Sequence, residues 1–572
     1  EGGVPVVLGV TGHRSLRRGD EDGIVAQVRA LIARMRREAP NSPIVLLSAL
    51  AEGADRLVAR VALAEGAGLI AVLPLAQDNY ELDFTDAHSR DDFRALLLDP
   101  RTERTIIAPR LDAAADAPGA ARDHQYLLAG LFVARNSDVL VALWDGAGAR
   151  GTGGSADIVV FRRSGRLDAD DDARRALAAA PEPFRITDAP LDAPQTGLVF
   201  HIPVSRSSSA PSTDPSAARW LVPAHYDGSP QQCERFVRRS LATLHHRDEL
   251  NREGAAYRAR RAGRIAASEA SLTAGQTTPS TMDARAPLAL AALRATFGVA
   301  DALAIEHQKS IYRTMIALFC MIAFATIALV LRNLALSEQT ERICLAAYLL
   351  LLALGDLAYL RTRRRKSQDR FQDYRAIAEG LRVQFFWRIG GAMQDVSDYF
   401  LRKQRSELRW IRDVLRVCAL RAPVLASGDF AAVQRLWVKD QSFYYHRAGN
   451  RDGERRRRQR MIGSALVLFS LGATIKWMID LANGHVLYIA IAAFAAIVLA
   501  AHGMYEYAHA TSEAEAPTQS SVRDTVVLAL LSAAVATAFF SMLVVGGPVI
   551  ARDLPQLDIK SAPFEWMLAA IG

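Results

Sequence analysis

The first residues that could do chemistry lie near the start of the chain, in the sequence GVTGHR that closes an apolar run. Gly9 and Gly12 would let the backbone approach a ligand closely, and Arg14 could pair with a phosphate. Thr11 lies in the same turn, and His13 could bond a ribose hydroxyl. The alternative is a tight turn with an exposed arginine, because the segment lacks the full GxGxxG dinucleotide fingerprint.

A second polar group follows the next apolar run, in the sequence SALAEGADR. Ser48 supplies a hydroxyl, Glu52 and Asp55 supply carboxylates, Arg56 supplies a guanidinium, and Gly53 lies in the turn. The carboxyl ends of parallel strands face one crevice, so this turn is expected beside the first. Alternatively, Asp55 caps a helix while Glu52 and Arg56 form an i,i+4 pair. Spacing alone does not separate these readings.

A third turn follows the apolar run DVLVALW and is rich in glycine, with five glycines in residues 146–154. Successive N–H groups of such a turn can point inward and bind an anion, and the start of the following helix adds partial positive charge. The alternative is a flexible surface loop, and the missing lysine excludes a P-loop. The residues assigned here to ligand binding are Asp145, Gly146, Gly151, Gly153, Gly154, Ser155 and Asp157.

These turns need elements that bring them together. Apolar runs alternate with helically spaced segments over the first two hundred residues, a pattern typical of a parallel sheet covered by helices on both faces. The predicted strands are 4–10, 44–49, 69–75, 138–144 and 198–204, the last at an edge of the sheet. The predicted helices are 22–38, 54–65, 122–135 and one that begins at 155. An acidic surface excursion over 164–195 and a Ser- and Pro-rich linker over 205–232 complete the soluble half.

Composition and charge exclude several classes of protein. Four widely separated cysteines form no CxxC pair, which argues against a disulfide framework or a cysteine metal site. The net charge is +8, but six of the ten residues 361–370 are basic, as are six of 451–460. Both blocks adjoin apolar runs, which favours the cytoplasmic side of a membrane protein over a nucleic-acid-binding surface.

Five apolar runs follow the soluble half and lack the regularly spaced polar residues of a soluble amphipathic helix. About 20 residues at 1.5 Å each cross the hydrocarbon layer of a bilayer, so each run is close to the required length. The fifth run could instead be re-entrant, and the first residues show no basic-then-apolar pattern of a signal peptide. The runs are Met315–Leu331, Ile343–Leu360, Met461–Leu481, Val486–Ala501 and Thr525–Ile550.

The segment between the second and third runs is predicted to be a helical cytoplasmic insert. Tyr374, Ile377, Ala378, Leu381 and Phe385 fall on one helical face. Apolar and aromatic stripes at this spacing are usually packing surfaces, so we expect contacts between helices or between subunits rather than a ligand site.

The set GVTGHR, SALAEGADR and SDVLVALWDG with its GTGGSAD turn resembles the SLOG superfamily of Rossmann-like nucleotide-binding domains. That superfamily includes LOG phosphoribohydrolases, the DNA-processing protein A and the amino-terminal domain of melastatin-type TRP channels. The resemblance covers residues 4–206, with the three motifs in the expected order. It implies a nucleotide or ADP-ribose-like ligand bound by the three turns.

The third turn departs from the LOG enzymes where it matters for hydrolysis. Their phosphate turn reads GGxGTxxE and its glutamate assists glycosidic cleavage, whereas this turn carries the shorter Asp157. The departure favours binding, so no catalytic and no metal-ligating residue is assigned. In the second half, QDRFQDYRAIAEGLRVQFFW, LRKQRSELRWIR and the paired apolar runs resemble SLATT-type proteins, predicted pore-forming effectors of bacterial nucleotide-signal immunity.

Two functions of different classes fit these patterns. The first is a homo-oligomeric channel or pore of the bacterial inner membrane, gated by a nucleotide-derived signal in antiviral signalling, with its N-terminal domain in the cytoplasm and no nucleic-acid partner. The second is a membrane-tethered enzyme that cleaves a nucleotide, with Glu52, Asp55 or Asp157 as acid or base. A passive scaffold would bind no nucleotide at all.

The predicted fold class is an α/β Rossmann-like domain with a parallel sheet, followed by an all-α membrane region with a helical cytoplasmic insert. The predicted domains are a SLOG-like domain (1–206), a linker and helical coupling region (207–312), a first transmembrane helix pair (313–360), the insert (361–460), a second transmembrane pair (461–506) and a fifth apolar segment with a tail (507–572).

Overall fold

A computed structural model of the chain divides into two compact units, Glu1–Tyr445 and His446–Gly572. All helices and strands named below belong to the first unit. The residues that the structure describes are 3–148, 152–167, 169–186, 196–206, 214–226, 228–273, 290–333, 337–364, 366–399, 408–424 and 428–450, with 453, 457, 461 and 464.

A mostly parallel sheet of seven strands forms the N-terminal part of the described chain. Its strands are β1 (Val6–Gly12), β2 (Ile44–Ser48), β3 (Gly68–Leu73), β4 (Thr102–Ile107), β5 (Val139–Trp144), β6 (Leu198–Pro203) and β7 (Arg219–Leu221). The spatial order is β4-β3-β2-β1-β5-β6-β7, and only the β6–β7 pairing is antiparallel. Because β1 pairs with both β2 and β5, the chain changes sides of the sheet at β1.

Helices connect the strands and cover both faces of the sheet. They are α1 (Glu21–Glu38), α2 (Ala54–Ala64), α3 (Gln77–Tyr80), α4 (Ala87–Leu98), α5 (Ala120–Asn136), α6 (Ser155–Ser164), α7 (Asp171–Ala179), α8 (Pro230–Ala242) and α9 (Leu244–Ser271). Short 3₁₀ turns lie at Arg18–Asp20, Glu81–Asp83, Ala113–Asp116 and Pro215–Ala217.

Strands β1, β2, β3, β5 and β6 are buried on both faces, as their continuous apolar runs require. Alternate side chains of β1 enter two different cores: Val6 and Leu8 join the core formed with α1, α2, α4 and α8. Val7 joins the core formed with α5, α6, α7 and α9. This second core also contains the helices of the C-terminal part of the unit, so the sheet and those helices share one apolar interior.

The C-terminal part of the unit is largely helical. Its helices are α10 (Ala291–Asn333), α11 (Glu338–Arg364), α12 (Ser367–Ile389), α13 (Val396–Tyr399), α14 (Arg409–Arg421) and α15 (Phe430–Val433), followed by a π-helix over Gln434–Lys439. The predicted apolar face of the insert is confirmed, because its five residues on α12 are all buried.

The structure corrects the sequence prediction at one edge of the sheet. Strand β6 is an interior strand, because β7 pairs with it from within the segment predicted as a linker. At the other edge, β4 was absent from the predicted strands. The acidic excursion contains α7, which buries Ala173 and Leu177 and keeps its acidic first turn outside.

Two segments, Ala291–Leu329 within α10 and Glu338–Ile389, which contains α11 and α12, are long and apolar enough to cross a membrane by length and composition alone. Their most apolar 18-residue windows are 6% and 0% buried, unlike those of a core helix in a soluble protein. They contain most of the first two predicted apolar runs. The other three predicted runs lie outside the described residues, apart from Met461 and Ser464.

Candidate functional site

The three predicted turns meet at the carboxyl edge of the sheet, at the point where β1 lies between β2 and β5. The backbone amide of Ala54 in the second turn donates to the carbonyl oxygen of His13 in the first, at 3.1 Å. The amide of Asp145 in the third turn donates to His13 Nε2, also at 3.1 Å. In open α/β sheets this edge, beside the strand where the order reverses, is the usual place for a ligand.

Close backbone approach holds the first two turns together. Gly53 has φ +77°, and a Cβ there would lie 2.6 Å from the carbonyl oxygen of His13 and closer still to that of Arg14. A Cβ on Gly12 would lie 2.8 Å from the carbonyl oxygen of Leu143. Only glycine fits these two positions, so both predicted glycines shape the site by letting turns and strands pack closely.

His13 is buried, and its ring lies against the first residue after β5. Its Nε2 is 3.3 Å from Asp145 Oδ2, and it also accepts the Asp145 amide hydrogen. Arg206 lies on the other side of the carboxylate, with Nε 3.6 Å from Asp145 Oδ2. A backbone bridge between Leu16 and Arg206 fixes the segment after β6 beside the first turn.

Arg14 is the exposed cation of the site. Its guanidinium carbon is 4.7 Å from the centre of the Tyr126 ring, which belongs to α5. Tyr80 lies beneath, with its ring centre 6.0 Å from that of Tyr126. Both tyrosine hydroxyls are buried and have no hydrogen-bond partner among the described residues. Burial and the nearby Asp55 carboxyl raise the pKa of Tyr80.

The start of α6 forms the third side of the site. Gly154 is the N-cap, and Gly153 has φ +86°, with its Cα side packed against the backbone of Asp123 and Leu127 on α5. The first N–H groups of a helix have no partner within the helix and attract anions. The Asp157 carboxylate accepts the Gly153 amide hydrogen at 2.9 Å. Asp157 thus orders the turn that leads to Ser155.

The second turn is organised around a buried carboxyl. Asp55 accepts hydrogen bonds from the amides of Ala49 and Ala51 and from the Ser48 hydroxyl. Burial raises the pKa of Asp55 to about 7, against the lowering effect of these bonds and of Arg14. Leu50, in the same turn, is buried with φ +55°, a left-handed conformation that is unfavourable for a non-glycine residue.

Glu52 and Arg56 point towards α4 and are engaged there. Glu52 accepts from the Thr85 amide at 3.0 Å and from the Ser89 hydroxyl. Burial raises the pKa of Glu52, but the bonds from Ser89 and Thr85 outweigh it and leave the pKa below its usual value. Buried Arg56 donates to the carbonyl oxygens of Leu50 and Ser89, and its burial lowers its pKa.

The remaining predicted residues lie in different places. Gly9 is in the middle of β1, where a Cβ would lie 2.9 Å from the Ser137 side chain, so it packs against the end of α5 rather than facing the crevice. Thr11 is partly buried near the carboxyl end of β1. Gly146 has φ +82° in an open turn after β5. Gly151 lies outside the described residues.

Three side chains of this site were not predicted from the sequence. Tyr80 ends the short helix α3 and Tyr126 lies on α5, and the residue spacing of neither helix indicates a ligand. Arg206 could have been predicted from the sequence, because it follows the carboxyl end of β6 and therefore lies at the same edge of the sheet. The carboxyl ends of parallel strands face one crevice, and this rule places the segment after β6 beside the other three turns.

The arrangement suits a small anion that also carries hydroxyl groups. Arg14, Arg206 and the start of α6 supply positive charge, while the Asp145 carboxylate can accept from hydroxyl groups. Among the described residues, no group of three or more His, Cys, Asp or Glu side chains could hold a metal ion.

No family model matches this chain, and no curated protein or solved structure shows significant similarity to it. The resemblance to SLOG and SLATT proteins therefore stays a prediction from the sequence. The function has to be inferred from the geometry of this site and of the helices connected to it.

Proposed function

We propose that the chain is a membrane-embedded effector whose N-terminal domain, Rossmann-like and of SLOG type, binds a nucleotide-derived anion. The ligand contacts Arg14, Arg206 and the start of α6, at the edge of the sheet where β1 lies between β2 and β5. Binding alters the packing of the helices that follow and gates a channel or pore.

Helix α5 is the observation that carries this proposal. In its first half, α5 contributes Tyr126 beside Arg14 and packs against Gly153 in the third turn. Near its carboxyl end, Arg135 forms an ion pair with Asp398 of the helical part at 2.6 Å. One rigid element thus contacts both the predicted ligand turns and the helices of the C-terminal part.

Further contacts attach the helical part to the sheet. Buried Arg247 of α9 donates to Asp138, which lies between α5 and β5, with Nη1–Oδ2 at 2.7 Å and Nη2–Oδ1 at 2.9 Å. On β4, Arg104 donates to the carbonyl oxygens of Leu420 and Ala422 at the end of α14. A change at the sheet therefore has several direct routes into α9 and α14.

Helix α10 continues from this interior into the exposed apolar region. Its first part buries Leu293, Phe297 and Leu303, whereas Ile316 and Phe324 further along are 62% and 59% exposed. In α11, Leu349 is 56% exposed. A helix pair with apolar side chains on its outer surface is stable in lipid or against other subunits, which supports insertion of α10 and α11 in a bilayer.

Localisation and assembly follow from the same features. The basic end of α11, with Arg361, Arg363 and Arg364, supports a cytoplasmic position for the α/β domain. Pores require several copies, so we propose a symmetric homo-oligomer in the inner membrane. The resemblance to SLATT effectors supports a role in bacterial antiviral signalling.

Binding is favoured over cleavage of the nucleotide because the predicted carboxylates serve the turns themselves. Glu52 binds α4, Asp55 is buried beneath its own turn and Asp157 binds Gly153. A general base must reach the proton that it removes. These three contacts hold the carboxylates in structural roles.

Calorimetry with the full chain in detergent tests the ligand site, with ADP-ribose and AMP as probes. Arg14→Gln should weaken binding by about tenfold, the effect expected for a charge-assisted hydrogen bond. Arg37→Gln is the matched control, since Arg37 is exposed in the last turn of α1, at the opposite edge of the sheet. Equal affinity in both variants, or turnover of either probe, would contradict the proposal.

Gating is tested separately by dye release from vesicles that contain the full chain. A ligand that shifts a closed population from 1:99 to 99:1 must bind the open state about 10⁴-fold more tightly. We expect release to rise on addition of the probe that binds in calorimetry, and Arg14→Gln to require a higher probe concentration. If dye release does not change when the probe is bound, gating is refuted, whereas the proposed binding site is not.

A further inference from the structure

A cavity of about 400 Å³ lies between α9, α10 and the start of α12, away from the carboxyl edge of the sheet. Its lining includes three guanidinium groups and two serine hydroxyl groups, together with Tyr257, Glu306 and His307. The guanidinium and serine hydroxyl groups belong to Arg260, Arg261, Arg370, Ser310 and Ser367. Guanidinium and hydroxyl donors around one space are the usual partners of a phosphate.

The carboxylates at this cavity are already engaged. Glu306 pairs with Arg261 at 3.2 Å. Glu253 is shared between Arg370, His307 and the Tyr374 hydroxyl. Among the described residues, none forms an ion pair with the guanidinium of Arg260. Arg370 pairs with Glu249 as well. Arg260 is therefore the guanidinium of this lining whose charge an anion would offset.

Two departures from helical geometry border the cavity. Arg261 has φ −147° and ψ 44° in the middle of α9, so the helix is interrupted there. Lys366 has φ +47° at the turn between α11 and α12, immediately before Ser367. A left-handed non-glycine residue is unfavourable, and such conformations cluster at functional sites. Arg261 lines the cavity, and Lys366 directly precedes Ser367, which also lines it.

The depth of the cavity is fixed by α10 and α11. Thr362 near the end of α11 donates to the Thr314 hydroxyl at 3.4 Å, so these two residues are level. Ser310 lies four residues from Thr314, about 6 Å along the helix axis. The headgroup layer of a bilayer is roughly 5–7 Å thick on each side. With α10 and α11 in a membrane, the cavity lies at headgroup depth.

We propose that this cavity binds a phosphate group, with Arg260 and Arg261 as charge partners and the hydroxyls of Ser310 and Ser367 as donors. At headgroup depth, the phosphate belongs to an anionic phospholipid. A free phosphate ion has the same chemistry, and the experiment separates the two sources. The phosphate site is independent of the nucleotide site, and only its lipid source depends on membrane insertion.

Titration of the full chain in neutral detergent tests the site. One arm uses dihexanoyl phosphatidylglycerol below its own micelle concentration, and the other uses inorganic phosphate at matched ionic strength. Binding in the first arm alone identifies a lipid headgroup, whereas binding in the second identifies a soluble phosphate. Both outcomes support the phosphate site, and binding in neither arm overturns it.

Three variants separate a built site from general surface charge. The double variant Arg260→Gln/Arg261→Gln should weaken binding at least about tenfold. Ser310→Phe fills the cavity without changing charge and should also weaken binding. Arg264→Gln removes an exposed charge from the same helix outside the lining and should change affinity by less than about twofold.

Thermal unfolding of each variant confirms that it is folded before its affinity is interpreted. Should Ser310→Phe fail to fold, the double variant still decides the question. The proposal is overturned if Arg264→Gln weakens binding as much as the double variant does. It is also overturned if a folded Ser310→Phe binds like the unaltered chain.

Discussion

Raising the pH from 5 to 7 should destabilise the α/β domain through one buried carboxyl. Asp55 has a pKa of about 7 in the folded chain because burial disfavours its ionised form. In the unfolded chain the carboxyl is solvated and its pKa returns to the ordinary value of 3.8. Between these two values the folded state holds a proton that the unfolded state has released.

The sign and the size of the effect follow from this difference. Because the folded state binds more protons, the free energy of unfolding falls as the pH rises through the window from 3.8 to about 7. The contribution of Asp55 to the free energy of unfolding is fully present below pH 3.8 and is lost above about pH 7. The whole shift corresponds to about 4 kcal/mol, of which about 2 kcal/mol is lost between pH 5 and pH 7.

Asp55→Asn isolates this contribution, because an amide does not titrate in this range. The amide keeps one acceptor oxygen, so one of the donors at Ala49, Ala51 and Ser48 loses its partner. That loss lowers the free energy of unfolding by a constant of about 1–3 kcal/mol. Urea unfolding of the full chain in detergent, followed by tryptophan fluorescence at pH 5, 6, 7 and 8, gives the difference between the two proteins.

Taking this difference removes the contribution of other groups, such as Asp373, whose pKa burial raises to about 6. We expect Asp55→Asn to be less stable than the unaltered chain at pH 5 and to approach it, or to exceed it, at pH 8. A difference that stays constant over this range would refute the reasoning. It would mean that the hydrogen bonds to Asp55 keep the carboxylate ionised.

Three further predictions concern packing and the membrane. Arg247→Met leaves Asp138 buried without its main partner and should lower the free energy of unfolding by about 3–5 kcal/mol in urea. Adding Asp138→Asn should recover part of this loss, and no recovery would contradict the pairing. Gly53→Ala should cost about 2 kcal/mol or more in the same assay, because φ is +77° and carbonyl oxygens leave no room for a Cβ; a neutral result would contradict the close approach. Leu349→Glu should reduce the share of the chain in the membrane fraction, while Leu98→Glu, at an exposed position of α4, should not. Equal shares for the two variants would argue against insertion of α11.

The sequence predicts the centre of the sheet well and its edges poorly. Strands β1, β2, β3 and β5 lie within two residues of the predicted bounds, because strands buried on both faces are continuous apolar runs. Strand β4 reads TERTII and alternates between exposed and buried residues. Strand β7 has three residues in a Ser- and Pro-rich segment, and its strand conformation depends on its antiparallel pairing with β6.

The meeting of the three turns is predictable from topology alone, but the partners of their side chains are not. His13 and Asp145 come together because β1 and β5 are neighbours and end at one edge. Spacing within a helix suggests partners four residues away, whereas Glu52 is bonded to Thr85 and Ser89 on another element. Such contacts depend on how α4 is placed over the sheet.

Helix α10 has a mechanical consequence for any protein that uses it to communicate. Its 43 residues form a rod about 65 Å long. The buried segment ends at Ala304, about 40 Å from Leu331 near the far end. A tilt of about 5° at the buried segment therefore moves the far end by ~3 Å. Helix α10 thus converts a small change in packing beneath the sheet into a larger displacement at its far end, where it would shift neighbouring helices.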